Sequence, residues 1–479
     1  MKLFGPNSTT CAARKAGARF LSHRRGNVAL LFGLAALPLM ASIGLAVDAG
    51  RAYLVQNRMA KALDAAGLAA ARVVLEERAA ADARRFFDAN FPPGYLGAKV
   101  TDFRYGVDDS NDFITVEADV SVPTVIMQLF GRDTVQVADS AMVERMNRGL
   151  ELALVMDNTG SMRSSGKIGA MRTAATDLVN ILFGDADELP LLWISVVPYT
   201  ATVNIGGGRT GWLALGDRAR TTPSGFEPTS WKGCVEARSM GGDERDDPPA
   251  DDPFDSFFYA PDTDNIWDPA DPDSIDDSNG AQNNGTGPNL GCGPAITSLT
   301  NQKATVTAAI AEMLPWHRGG TTSNLGMVWG WRTISPRWRD LWGGPTPAEM
   351  PFDYFTPLMD KAVVLLTDGD NVFYDHPPTG PDGSDYTAYG RLNDLGYTSI
   401  AAGNTELDSR LARMCEAMKD EGVLIYTITF GGSPNAATQT LYRDCATEPS
   451  GYFHAPDAAN LSTAFRSIGQ RLSNLRIVQ

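Results

Sequence analysis

An α/β fold behind a membrane-spanning helix is what this sequence predicts, and three observations predict it. Residues 28–47 carry no charge and are closed by Asp48; a helix of that length is about 30 Å long, enough to cross a hydrocarbon core. Beyond residue 149, short apolar runs alternate with helical patterns, which is the pattern of a doubly wound, mostly parallel sheet. Two of those runs, 152–156 and 362–367, stop at a carboxylate, Asp157 and Asp368, and a glycine-containing turn follows each. A buried parallel strand delivers a ligand to the carboxyl edge of its sheet in that way.

The N-terminal elements come first. Residues 1–25 hold Lys2, Arg14, Lys15, Arg19, Arg24 and Arg25 and no acid. A basic flank of this kind places the N-terminus in the cytoplasm and the chain after Asp48 outside. The expected organisation is therefore a cytoplasmic segment, 1–25, and a single-pass anchor, 26–48. Pro38 would kink the helix, which membranes tolerate. The run is long for a cleaved signal peptide and no clean Ala-x-Ala site follows it, so an uncleaved anchor is favoured. Arg24-Arg25-Gly26-Asn27-Val28-Ala29, with Phe32, Pro38, Asp48 and Arg51, resembles the N-terminal region of TadE/TadG-like (Flp/Tad) pilus-assembly proteins. That resemblance implies a bacterial inner-membrane protein whose bulk is periplasmic or extracellular and whose partners include other pilus-assembly components. Processed prepilins carry Glu five residues after the cleaved Gly; Leu31 stands there, so a permanent anchor fits better. Residues 51 to about 89 are rich in Ala, Leu, Arg and Glu without proline, and the helix is expected to continue outward through them until Pro92-Pro93-Gly94. Strands follow at 113–120 and 133–137. The segment 49–148 thus reads as a pilin-like α+β unit.

The larger α/β unit is expected over 149–479. Helices are read at 167–183, 302–314, 323–332, 406–420 and 458–475, and strands at 189–197 and 423–430. An insertion of different composition occupies about 204–296. Its 241–286 stretch is crowded with Asp, Pro, Gly and Asn and is expected to be a solvated acidic loop without a core. The acidic stretches 262–265 and 273–280 fail EF-hand spacing, because Ile275 stands where an acid ligand belongs and no Glu ends the loop. Trp231, Phe254, Phe257, Phe258, Tyr259 and Trp267 would fold back onto the domain or form a partner patch. Trp329, Trp331, Trp338 and Trp342 are read as core rather than site rim. Cys11 is expected to stay reduced. Cys234, Cys292, Cys415 and Cys445 lie in the exported part, where an even number points to two disulfides, and sequence neighbours are the favoured pairs.

The site residues come from three motifs: Asp157-Asn158-Thr159-Gly160-Ser161, Gly319-Gly320-Thr321-Thr322-Ser323 and Asp368. They resemble the metal-ion-dependent adhesion site of von Willebrand factor A (vWA) domains, whose first motif reads Asp-x-Ser-x-Ser; here Thr159 holds the middle position. The resemblance implies a Rossmann-like vWA fold and assigns metal ligation to Asp157, Thr159, Ser161, Thr321 and Asp368, with Thr322 and Ser323 as neighbours able to replace Thr321. Two carboxylates and three hydroxyls suit a hard cation, Mg²⁺ before Mn²⁺ or Ca²⁺. A protein partner would complete the cation's coordination with an Asp or Glu. Asp370 could reach the site and His317, just before the Thr321 loop, could sit near the metal; a solvated loop acid and a surface residue at a helix end are the favoured readings. Removing the six basic residues of 1–25 leaves 35 Lys+Arg against 57 Asp+Glu, a net charge of −22 that argues against nucleic acid. No His-Glu-x-x-His, Gly-x-Ser-x-Gly or phosphate-binding loop points to an enzyme.

Overall fold

The computed structural model describes residues 24–73, 76–108, 113–144, 148–221, 223–277, 285–374, 383–432 and 434–476. Residues 1–23, most of the basic segment, and 278–284 of the insertion lie outside them. The chain forms two compact units, Met1–Arg145 and Met146–Gln479.

The first unit begins with α1, Arg24–Ala70, whose first half exposes Leu31, Phe32, Leu34, Leu37 and Ile43. It is long and apolar enough to cross a membrane. Further along, Val55, Met59, Ala62, Leu63, Ala66 and Ala70 are buried at helical spacing. The single helix expected through residue 89 is corrected here: α1 ends at Ala70, and α2, Glu76–Asn90, is a separate helix packed against it. Ala79, Ala83 and Phe87 repeat every four residues in α2. One continuous rod would leave that stripe in water, and a second helix folded onto the first buries both. Three antiparallel strands follow in sequence order, β1 (Lys99–Val107), β2 (Phe113–Pro123) and β3 (Thr134–Glu144). β1 is absent from the sequence reading because none of its side chains is fully buried. Only β2 shows clean alternation, with Ile114, Val116, Ala118, Val120 and Val122 inward.

The second unit is built on a six-stranded sheet. Its strands in chain order are β4 (Gly149–Asp157), β5 (Leu192–Tyr199), β6 (Thr297–Thr300), β7 (Met359–Thr367), β8 (Leu424–Phe430) and β9 (Tyr452–Ala455). In space they run β6-β5-β4-β7-β8-β9, all parallel except β6 at one edge. β4 shows why both faces are covered. Leu150, Leu152, Leu154 and Met156 pack with α3 (Lys167–Phe183) and the final helix Ala458–Arg476. Ala153 and Val155 pack on the other side with α4 (Ser323–Ile334) and α5 (Ile400–Asp420). Period-two alternation between two apolar faces is what a strand buried on both sides requires. α4 approaches the sheet closely through Gly326 and Gly330, where a Cβ would come 2.5 Å from the Tyr199 ring and 2.4 Å from Val155.

The insertion is not the solvated loop that its composition predicts. Phe226, Phe254, Phe257, Tyr259, Trp231 and Trp267 are buried. Phe254 lies 4.9 Å from the Trp329 ring, and Trp212 meets Trp338 and Trp342 edge to face at 5.2 and 5.1 Å. These tryptophans are core. The acids of the 262–265 stretch hold arginine: Arg391 takes both oxygens of Asp264 at 2.9 Å and reaches Asp262 at 3.3 Å. Asp277 is buried against Lys232 and the Asn289 amide. The counter-charges come from outside the acidic stretch, so its local composition conceals a folded, charge-paired layer. Cys234–Cys292 closes the insertion, and Cys415–Cys445 ties α5 to the helix Ala436–Cys445.

Candidate metal centre

β4 and β7 are adjacent parallel strands, and they are where the strand order reverses direction. The first three sheet strands run one way from β4, and the last three run the other. Ligands of open α/β sheets bind outside the carboxyl ends of the strands at such a switch point. Asp157 ends β4 and Asp368 directly follows β7.

The carboxylates are joined by hydroxyls. Asp157 is fully buried. Its Oδ1 accepts from the Thr159 amide at 2.8 Å and from Thr159 Oγ1 at 2.6 Å. Its Oδ2 accepts from Thr367 Oγ1 at 3.0 Å and the Asp368 amide at 3.3 Å. Ser161 Oγ donates to Asp368 Oδ1 at 2.6 Å, and the Thr159 and Ser161 oxygens lie 2.9 Å apart. Three short oxygen contacts here share two hydroxyl protons. With Thr159 donating to Asp157 and Ser161 to Asp368, neither hydroxyl has a proton left for the Thr159–Ser161 contact. Burial first, and the charge of Asp368 second, push the Asp157 carboxyl up to about 6.

Thr321 reaches the centre from a different segment. Gly320–Thr321 pairs with Val372–Phe373, and Thr321 lines a cleft of about 520 Å³ with Thr159, Ser161, His317, Arg318 and Asp368. Gly320 has φ of 117°, and a Cβ there would strike the Val372 carbonyl oxygen at 2.0 Å, so glycine is required beside Thr321. The neighbouring hydroxyls are engaged elsewhere: Thr322 donates to the Thr200 carbonyl, and Ser323 meets Asn371 and the Tyr442 hydroxyl. Four of the five sequence-derived residues thus form one hydrogen-bonded chain, and the fifth faces the same cleft. Among the described residues no group of three or more His, Cys, Asp or Glu is placed to hold a metal. The centre's donors are two carboxylates with hydroxyls, an all-oxygen set that fits a hard cation.

Lys167 is the site residue to which the sequence motifs do not point. Lys167 Nζ donates to Asp368 Oδ2 at 2.7 Å, with 17% of the lysine side chain and 1% of the aspartate side chain exposed. A lysine at the first position of α3 opposes the helix dipole, and that was the available signal that it has a fixed acidic partner. His317 is a wall of the cleft rather than a surface residue; a Cβ on Gly160 would lie 2.8 Å from its Nδ1. Burial lowers its pKa, and Arg163 adds to the effect. Asp370 is exposed, as expected of a solvated loop acid; it lines the same cleft and accepts from Asn435 Nδ2 at 3.0 Å and from Thr438 Oγ1.

Residues 26–73 match the Flp pilus-assembly TadE/G-like family. No curated protein matches the chain. Among solved structures, the pilus adhesin SpaC from Lactobacillus rhamnosus GG is 11% identical with a TM-score of 0.33, over 78% of this chain and 34% of that one. The vWF domain of the type V pili tip protein Mfa5 from Porphyromonas gingivalis is 12% identical with a TM-score of 0.34, over 70% and 98%. The adhesive tip pilin GBS104 from Group B Streptococcus agalactiae is 12% identical with a TM-score of 0.34, over 79% and 69%. The chain spans about a third of the length of SpaC. Its N-terminal stretch is similar to a pilus-assembly family and begins with a membrane-type helix, which describes a membrane-associated, extracytoplasmic protein.

Proposed function

We propose that this chain is a single-pass inner-membrane component of a Flp/Tad pilus-assembly or tight-adherence system. In this reading the N-terminus is cytoplasmic, the remainder is periplasmic or extracellular, and the second unit is a vWA-type domain. That domain captures a protein partner through a metal-ion-dependent adhesion site and performs no catalysis. The observation that carries the proposal is the proton-short oxygen cluster at the switch point of the sheet, where Asp157, Thr159, Ser161 and Asp368 converge beside Thr321.

Asp157, Thr159, Ser161, Thr321 and Asp368 would hold Mg²⁺, with Mn²⁺ or Ca²⁺ as alternatives. When bound, such a cation supplies an electrophilic position for a partner's Asp or Glu, and few charged ligands leave it strongly electrophilic. The chain's own residues do the rest. Burial fixes Asp157, Thr367 holds the Asp157 oxygen that faces β7, and Ser161 orients Asp368. His317 and Arg318 wall the approach. Other pilus-assembly components are the expected partners, and an adhesin for host or matrix ligands would use the same chemistry.

One observation favours a second reading. Lys167 already places a positive charge on Asp368, so a scaffold without metal is the alternative. Cross-linking from cells carrying wild-type or Asp157→Ala chains separates the two. Magnesium-dependent cross-links to pilus components, lost in the variant while membrane insertion persists, support ligation. Cross-links indifferent to chelator and variant overturn it in favour of the scaffold.

A further inference from the structure

A loop of the first unit lies against the apolar stretch of the membrane-type helix. Of residues 28–50, Gly44 and Asp48 are the buried ones, and the same segment covers both: the loop between β2 and β3. Asp48 is the first charge after the apolar stretch. Its carboxylate accepts the amides of Val125 at 2.8 Å, Ile126 at 3.1 Å and Met127 at 2.8 Å. Three charge-assisted bonds satisfy an acid at a position where water is scarce. Gly44 lies one turn further in, about 6 Å along the axis. A Cβ there would come 2.4 Å from Ile126 Cγ2, so glycine is what lets the loop lie against the apolar stretch itself.

The loop is apolar on its free side. Val125 is 48% exposed, Leu129 74% and Phe130 46%. A soluble loop tip gains nothing from such residues, whereas a segment fixed against the lipid-facing part of a helix does. Thr124 Oγ1 donates to the Arg132 carbonyl and closes the loop at its base, where the Arg132 side chain is exposed. A hollow of about 670 Å³ between α1 and β3, lined by Leu45, Ala49, Tyr53, Met127, Arg132 and Val135, opens beside it.

We propose that residues 124–132 are a second membrane contact. Val125, Leu129 and Phe130 lie in the headgroup and upper acyl region beside α1, and Arg132 pairs with lipid phosphate. The occupant is the bilayer, because this surface is continuous with the exposed apolar face of residues 28–47. The inference rests on α1 spanning the membrane. Its consequence is that the base of the first unit is pinned to the membrane surface at two points, which fixes its tilt.

The test uses the full chain with Cys11→Ser, reconstituted in phosphatidylcholine/phosphatidylglycerol vesicles. An environment-sensitive fluorophore is attached at Leu129→Cys, Phe130→Cys, Met142→Cys or Leu37→Cys, one at a time. Nitroxide carried on lipid near the glycerol level is expected to quench the emission at positions 129 and 130, with iodide in the water nearly without effect. The label at 142, an exposed position on β3 (70% exposed), should respond to iodide only. The label at 37 tests the spanning helix itself and should respond to deeper lipid nitroxide. Quenching of 129 and 130 by iodide as at 142 overturns the loop contact while leaving the helix standing. Protection of 129 and 130 from both quenchers also overturns it, in favour of coverage by protein. Iodide access at 37 overturns the spanning helix on which the inference rests.

Discussion

Two buried carboxylates sit on one strand of this molecule, six residues apart, and they are handled in opposite ways. Glu151, near the start of β4, is fully buried and bonded to Lys361 on β7, and it also accepts the Phe352 amide at 2.7 Å. Lys361 donates further to the Ile334 carbonyl at 2.8 Å. That end of the sheet is closed and charge-balanced. Asp157, at the other end, is equally buried, but its neighbour across the strand pair is a second carboxylate, and its own partners are hydroxyls and amides. Lys167 answers one of the two negative charges, and a cleft opens over the remainder. The same strand therefore spends one carboxylate on folding and keeps the other in deficit. A buried charge without its own counter-charge beside a cleft marks a candidate binding site, whereas a paired one is explained by folding.

The largest effect should come from breaking the closed end. Lys361→Ala leaves Glu151 buried without its cation and is expected to cost about 3–5 kcal/mol, read as a lower urea midpoint. Asp157→Asn keeps an acceptor and removes like-charge repulsion, so without metal it should be neutral or stabilising. Equal destabilisation by both changes would mean that Asp157 is as structural as Glu151.

The next effect is in pH. The Asp157 carboxyl titrates higher in the fold, at about 6, than in the unfolded chain. The native state therefore binds the extra proton, and stability is present below about pH 4 and lost as pH rises through 6. A shift of this size corresponds to about 3 kcal/mol between those limits in metal-free protein. Denaturant curves across pH should show that slope in the wild type and its loss in Asp157→Asn.

Smaller effects sharpen the picture. Lys167→Gln should strengthen Mg²⁺ binding roughly tenfold, since the lysine competes for Asp368; an unchanged affinity means it does not compete. Thr159→Ser keeps the hydroxyl but deletes a buried methyl, so it should cost about 1 kcal/mol while retaining cation binding, whereas Thr159→Ala should lose binding.

Legibility in the sequence followed the physics of each region. β4 and β7 were readable because strands buried on both faces leave continuous apolar runs, and an acid ending such a run stands out. The sequence-neighbour pairing of Cys234 with Cys292 and of Cys415 with Cys445 was likewise recoverable. The insertion was misread because its charges are balanced from afar. Asp264 is answered by Arg391, and Asp243 by Arg410 at 2.7 Å, more than a hundred residues later. Composition in a local window cannot report such pairs. The break between α1 and α2 was hidden for a related reason: both carry the same alanine-rich stripe, and only tertiary packing distinguishes one long helix from two that face each other. Lys167 was missed because a helix start was read for its position and not for its charge.

The central claim is that the Asp157 end of the sheet is short of positive charge and takes a divalent cation. Calorimetric titration of Mg²⁺ and Mn²⁺ into the detergent-solubilised chain, beside Asp157→Ala, tests it most directly. Saturable binding at one site in the wild type, absent from a folded variant, is the predicted result. A folded wild type that binds neither ion, or a variant that binds as the wild type does, would contradict it.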